Sequence, residues 1–269
     1  MIDTVETLWR YPVKSMMGEQ IRTADVTDRG LAGDRAYALV ETATNRAAVV
    51  RTWGSDLMRY RAGYAEEPRP GEPSPMVEIV TPNGAMLASS QPDVDAHFSA
   101  AFGRALRLMT HAPIGLLVEF PPGTLGGKLA KLTEAPLAGR APAGTFFDLS
   151  CILLVATSTI EHLQLDVRRL RPNIVVRTSD APFIENDWAG RRLAIGERVV
   201  LQTSTACPRC INVTLAQDGF LREPSILRAI AGQNLVDLGD LGKLPCVGVY
   251  ADVVQPGPVA AGDSIRWLD

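Results

Sequence analysis

The sequence predicts a mainly β protein with a few short helices, an α+β arrangement of barrel-like halves. Three observations carry this: about a dozen short apolar or alternating runs, turn signals between them, and helical periodicity confined to three brief stretches. At the start, Val5, Thr7, Trp9 and Tyr11 alternate with polar neighbours, the pattern of a strand with one buried face. Tyr37–Val40 and Ala48–Val50 are apolar runs parted by a mostly polar turn, residues 42–46. Val77–Val80 and Met86-Leu87 flank Pro82-Asn83-Gly84, a hairpin on an Asn-Gly turn. The first helix is expected after Pro92, where Val94, Phe98 and Phe102 share a face and Gly103 closes it. A second spans about 158–165, with Ser158 and Glu161 at capping-box spacing, and a third spans 225–231 between Pro224 and Gly232.

Two stretches read as loops: 61–75, rich in Pro, Gly and Glu, and 121–145, Gly-rich and aperiodic, which we expect to shape access to a site. A domain boundary is placed near the start of the second, giving halves 1–118 and 119–269.

The chain has 269 residues, 46% hydrophobic and 21% charged, enough for a sizeable core. A net charge of −3 with scattered basic residues argues against sequence-independent nucleic-acid binding, so a phosphate ligand needs a few placed side chains. No basic leader with an apolar stretch and no 18-residue apolar run occurs, so a soluble, cytoplasmic protein without membrane association is expected. Four cysteines make no disulfide scaffold; Cys151 and Cys246 read as buried packing.

Cys207-Pro208-Arg209-Cys210 differs. It joins the run Val199–Leu201 to Ile211–Leu215, read as a second strand. A thiolate there can bind metal, carry a persulfide or form a redox disulfide. Structural zinc wants four ligands, and His97, His111 and His162 lack ligand spacing. A thioredoxin-like pair should open a helix in a βαβ unit. A single thiolate as metal ligand or sulfur carrier remains, with Arg209 available to lower its pKa or to pair with an anion. Lys14-Ser15, at a strand exit, can bind phosphate. In Gly33-Asp34-Arg35 a surface ion pair is expected. In Arg171-Pro172-Asn173, Pro172 holds its neighbours rigidly at a strand entry.

Taken in order, Tyr-Pro-Val-Lys-Ser at 11–15, Gly-Asp-Arg at 33–35, Phe-Asp-Leu-Ser at 147–150, Leu-Arg-Pro-Asn-Ile-Val-Val at 170–176, Ala-Cys-Pro-Arg-Cys at 206–210 and Gly-Val-Tyr-Ala at 248–251 resemble the MOSC superfamily. The resemblance extends to members that carry an N-terminal β-barrel domain, such as the amidoxime-reducing components and their bacterial relatives. It implies a molybdenum cofactor, a pterin with a dithiolene and a terminal phosphate. Cys210 falls at the metal-ligating position, while Lys14, Ser15, Arg35, Leu149, Ser150 and Arg171 fall around the pterin and phosphate. Asn173, Pro208 and Arg209 complete the implied lining, and Cys207 is left outside the ligand set. The implied activity is reduction of N-oxygenated small molecules; the alternative is a cofactor or persulfide sulfur carrier. The sequence stops at Asp269 without an iron–sulfur cysteine cluster, so a separate flavin or iron–sulfur electron donor is expected.

Overall fold

The computed structural model describes residues 3–119, 133–136, 142 and 144–268. Seven strands close into a barrel. Asp3–Arg10 pairs antiparallel with Ile174–Arg177 on one side and Ser264–Trp267 on the other. From Ser264–Trp267 the ring runs through Arg192–Ile195 and Val199–Pro208 to Lys243–Gln255. Ile152–Ala156 closes it, antiparallel to Lys243–Gln255 and parallel to Ile174–Arg177. The interior is filled by Val5, Leu8, Ile152, Leu154, Ile174, Val176, Leu193, Leu201 and Val249, among others. Strand ends rather than chain halves therefore decide the architecture. Residues 3–10 of the expected first half complete the barrel of the second, and Thr23–Thr27 pairs with Gly257–Ala260.

The rest of the first half builds two small sheets around a second core. One is ordered Leu106–Met109, Ala38–Glu41, Arg46–Ala47, Leu117–Glu119, Glu134–Pro136; the other is Arg61–Tyr64, Val77–Val80, Met86–Ala88. Met16, Leu39, Leu57, Met58, Ile79 and Phe98 pack between them. Among the described residues no helix is long and apolar enough to cross a membrane.

The Asn83-Gly84 hairpin forms as expected, Gly84 taking a φ of 85°. Helix Val94–Phe102 ends on Gly103 in the left-handed conformation, and helices Thr157–Leu163 and Ser225–Gln233 also form. Several expectations are corrected. The alternation in the first strand does not persist, because a bulge between Val5 and Thr7 shifts its pairing. Val5 and Leu8 enter the barrel, whereas Trp9 and Tyr11 pack outside it with Val175. Val50 begins a helical turn, Val50–Trp53, rather than ending a strand. Residues 61–64 are not loop but the strand facing Val77–Val80, their polarity reflecting an exposed face. The run after Cys210 is the 3₁₀ turn Ile211–Thr214, with Val213 and Thr214 buried and Ile211 exposed. The Ser158–Glu161 capping box is absent. No side chain caps that helix; the buried Glu185 carboxylate braces its start instead, accepting from Ala156 N at 2.9 Å and Thr159 Oγ1 at 2.7 Å. The 121–145 stretch lies largely outside the described residues.

Among the described residues Gly18 is the tightest glycine. A Cβ there would lie 2.1 Å from the Arg10 carbonyl oxygen and 2.7 Å from the Tyr11 ring. Gly18→Ala is expected to cost about 3 kcal/mol, as an overpacked core does, measured by urea denaturation.

Candidate functional site

Three backbone segments meet where the barrel joins the smaller sheets. Tyr11 to Lys14 runs beside Arg35 to Tyr37: Arg35 N donates to Tyr11 O at 2.9 Å, Tyr37 N to Pro12 O at 3.0 Å, and Lys14 N to Tyr37 O at 2.8 Å. Asn173 locks the third segment on. Its Oδ1 accepts from Leu153 N at 3.1 Å, and its Nδ2 donates to Asp34 Oδ2 at 2.8 Å.

Asp34 is the hub. Its carboxylate is fully buried and accepts from Tyr11 N at 2.7 Å, from Asn173, and from the Arg35 guanidinium. The expected surface ion pair is thus an interior one, since the Gly33 turn folds inward beneath Tyr64 and Pro68.

Around this hub stand more cations than anions. The Cζ atoms of Arg35 and Arg171 lie 4.5 and 4.3 Å from the centroid of the Tyr11 ring. Arg171 donates to Met16 O at 2.6 Å and has no carboxylate at ion-pair distance among the described residues. Burial, reinforced by the neighbouring Arg35 charge, pulls its guanidinium down to about 10. Lys14, also buried, donates to Phe146 O at 2.9 Å and to Asp148 Oδ1 at 2.8 Å. Burial, with Arg51 and Arg35 nearby, holds its ammonium below the usual range despite Asp148. Asp148 lies beneath two cations, Lys14 and Arg51, the latter 3.9 Å away. They outweigh desolvation and hold its carboxyl at about 2.

Of the six non-glycine residues with positive φ among the described residues, three are Ser15 (68°), Arg35 (46°) and Arg171 (53°). Such conformations persist only where surrounding structure enforces them, and they concentrate at functional sites. The Tyr11 hydroxyl adds a further oddity: it is buried with no hydrogen-bond partner among the described residues.

The cysteine segment is drawn to this cluster by two arginines. Arg209 donates to Leu170 O at 2.8 Å and to Val247 O at 2.6 and 3.0 Å. Arg169 donates to Val213 O at 3.1 Å, Leu215 O at 3.2 Å and Leu221 O at 2.8 Å. The guanidinium of Arg209 is therefore spent on carbonyls, fastening the turn beside Arg171. Cys210 is partly exposed, at the entry to the 3₁₀ turn. Cys207 is buried against Leu153, Val155, Leu170 and Val247, and that burial pushes its thiol up. The segment is extended: the strand runs through Pro208, Arg209 N donates to Pro245 O, and Cys210 has β backbone angles. Three extended residues span about 10 Å, beyond the roughly 7 Å limit for bridging Cα atoms. That geometry opposes a Cys207–Cys210 disulfide.

The remaining expected residues are placed as follows. Ser15 Oγ donates to Ala48 O at 3.2 Å and Ser150 Oγ to Ala251 O at 3.0 Å, both at the rim; Leu149 is exposed beside Asp148, and Pro208 pairs with Cys246. Sequence reasoning passed over Tyr11, Arg51 and Asp148 as site groups. Tyr11 and Asp148 lie inside segments already singled out, whereas Arg51 carried no motif. Two cavities, of about 310 and 590 Å³, lie along the seam near Arg61 and Asp218, and neither is lined by Cys210, Arg35 or Arg171. Among the described residues no group of three or more His, Cys, Asp or Glu side chains could hold a metal ion.

The MOSC N-terminal beta barrel domain matches residues 2–61 and the MOSC domain residues 153–266. Mitochondrial amidoxime-reducing component 1 of Mus musculus is 23% identical over 294 residues, covering 99% of this chain and 83% of that protein. Mitochondrial amidoxime reducing component 2 of Homo sapiens is 27% identical over 301 residues, covering 98% and 83%. Among solved structures, the YUAD protein from Bacillus subtilis matches with a TM-score of 0.39 and 13% identity over 98% of this chain and 94% of that one. An ordered set of site segments, a closed seven-stranded barrel and both domain matches lead to one assignment: the chain belongs to the MOSC superfamily, in the form that joins a MOSC N-terminal β-barrel domain to a MOSC domain.

Proposed function

We propose that the protein is a cytoplasmic molybdenum-cofactor-dependent reductase of N-hydroxylated and other N-oxygenated small molecules, with Cys210 as the protein's ligand to the metal. The observation that carries the reading is a partly exposed thiol fastened beside a surplus of cations, buried Lys14 with half-buried Arg35 and Arg171. Residues of this kind fit the cofactor. Lys14, Arg35 and Arg171 match a terminal phosphate and an electron-rich pterin. The buried, unpartnered Tyr11 hydroxyl and the three left-handed residues mark a site built for something other than packing. A thiolate suits the metal, and one protein ligand suffices when a dithiolene supplies others.

When bound, the cofactor supplies two-electron oxygen-atom chemistry. The chain's own groups do the rest. Lys14, Ser15, Arg35 and Arg171 hold and orient the anion, and Asn173 with Asp34 keeps Arg35 from swinging away. Ser150 and exposed Leu149 border the entry, and Pro208-Arg209 stiffens the approach to Cys210. Overall, an N–OH bond is cleaved with two electrons and two protons, releasing water. A separate flavin or iron–sulfur protein provides the electrons. The names of the similar amidoxime-reducing components support this reaction class.

Metal analysis and turnover test the proposal. Purified protein should hold about one molybdenum per chain and reduce a benzamidoxime-type substrate with an artificial reductant. Bound molybdenum without turnover assigns a cofactor carrier instead, and sulfane sulfur on Cys210 without metal assigns a persulfide carrier.

A further inference from the structure

We propose that the Tyr11 hydroxyl is itself a ligand for the anion that Arg35 and Arg171 receive, so that Tyr11 is a binding residue and not only a packed ring. The ring has no freedom to seek another partner. It is fully buried, its N–H is bonded to Asp34, its carbonyl accepts from Arg35, and Gly18 abuts its edge. Two guanidiniums flank the same ring at 4.5 and 4.3 Å, and the charges of Arg35, Arg171 and Arg209 act on the phenol against the opposing charge of Asp34.

A buried hydroxyl without a partner costs the fold free energy, and phenylalanine would fill the same space without that penalty. The missing partner lies among a surplus of cations, so the group that completes it is a negatively charged hydrogen-bond acceptor. A phosphate-type oxygen satisfies the phenol, Arg35 and Arg171 together, which carboxylates among the described residues do not: Asp34 is consumed by Arg35, Asn173 and the Tyr11 N–H, and Asp148 by Lys14. Burial raises the phenol pKa, which keeps the proton in place for donation at neutral pH.

The inference rests on the anion site of the cofactor reading, though not on molybdenum. The full chain, purified from cells unable to make the cofactor, is titrated with inorganic pyrophosphate by calorimetry, alongside Tyr11→Phe and Arg171→Gln. Tyr11→Phe should bind at least tenfold more weakly, the size of one hydrogen bond to a charged group, while unfolding at the same temperature or higher in phosphate-free buffer. Equal pyrophosphate affinity in Tyr11→Phe and wild type overturns the inference but leaves the anion site standing, provided Arg171→Gln weakens binding. A lower unfolding temperature of ligand-free Tyr11→Phe also overturns it, because the hydroxyl then serves the fold. If wild type fails to bind, or Arg171→Gln binds like wild type, the anion site and the inference fall together.

Discussion

Cys210→Ser is expected to abolish molybdenum retention and lower turnover at least 100-fold, while leaving the stability of the cofactor-free chain within about 0.5 kcal/mol. Cys207→Ser should do the reverse. The contrast follows from where the two thiols lie. Cys210 is partly exposed at the mouth of the 3₁₀ turn, beside the segment that carries Arg171, and no core residue depends on it. Cys207 packs among Leu153, Val155, Leu170 and Val247 with the Tyr250 hydroxyl against its sulfur, so a serine there buries a shorter, more polar group in an apolar wall and has to re-form that bond. That change should cost about 1–3 kcal/mol while keeping at least half the turnover and the full metal content. Metal analysis, steady-state rates and urea denaturation on the two variants decide the matter. Metal lost from Cys207→Ser but kept by Cys210→Ser would reverse the ligand assignment.

Asp34→Ala should be the most damaging single change outside the barrel core. Its carboxylate has no exposed surface and accepts from three donors on three segments: Tyr11 N, Asn173 Nδ2 and the Arg35 guanidinium. Removing it leaves a largely buried guanidinium without a counter-charge, a loss of about 3–5 kcal/mol. Since domains are stable by only about 5–15 kcal/mol, the variant should be partly unfolded at physiological temperature. Asp34→Asn keeps the shape and one acceptor but also leaves Arg35 without its counter-charge, so its stability should fall between those of Asp34→Ala and wild type, and it should bind cofactor poorly because Arg35 loses the charge that fixes its direction. Urea midpoints and molybdenum content read the two effects separately. If Asp34→Ala unfolds like wild type, the hub does not organise the site.

The segments that build the site were legible in the chain because each has its own local grammar. Pro172 announces a rigid strand entry, Gly33 a tight turn, and the cysteine pair a soft donor. The Asn-Gly hairpin and the Gly103 helix stop were legible for the same reason: both are set by backbone angles within a few residues. Where reading failed, distant structure had overruled local pattern. Ser158 and Glu161 have the spacing of a cap, yet no side chain caps that helix, and Glu185, more than twenty residues on, braces its start. Ile211–Leu215 is apolar enough for a strand, but Arg169 gathers the carbonyls of Val213 and Leu215 and coils the backbone. Asp34-Arg35 has the composition of a surface pair, and only the fold of the Gly33 turn takes it inside.

Sequence alone therefore determined the β character, the positions of the three longer helices and the ordered motifs that mark the superfamily, since hydrophobic period and turn chemistry are local properties. Tertiary structure alone decided that residues 3–10 close the second half's barrel, that Asp34 is interior, and that Tyr11, Arg35 and Arg171 share one ring beside the Cys210 turn. Those facts depend on segments more than a hundred residues apart meeting in space. Charge and burial at the site come from that meeting rather than from any residue's neighbours in the chain.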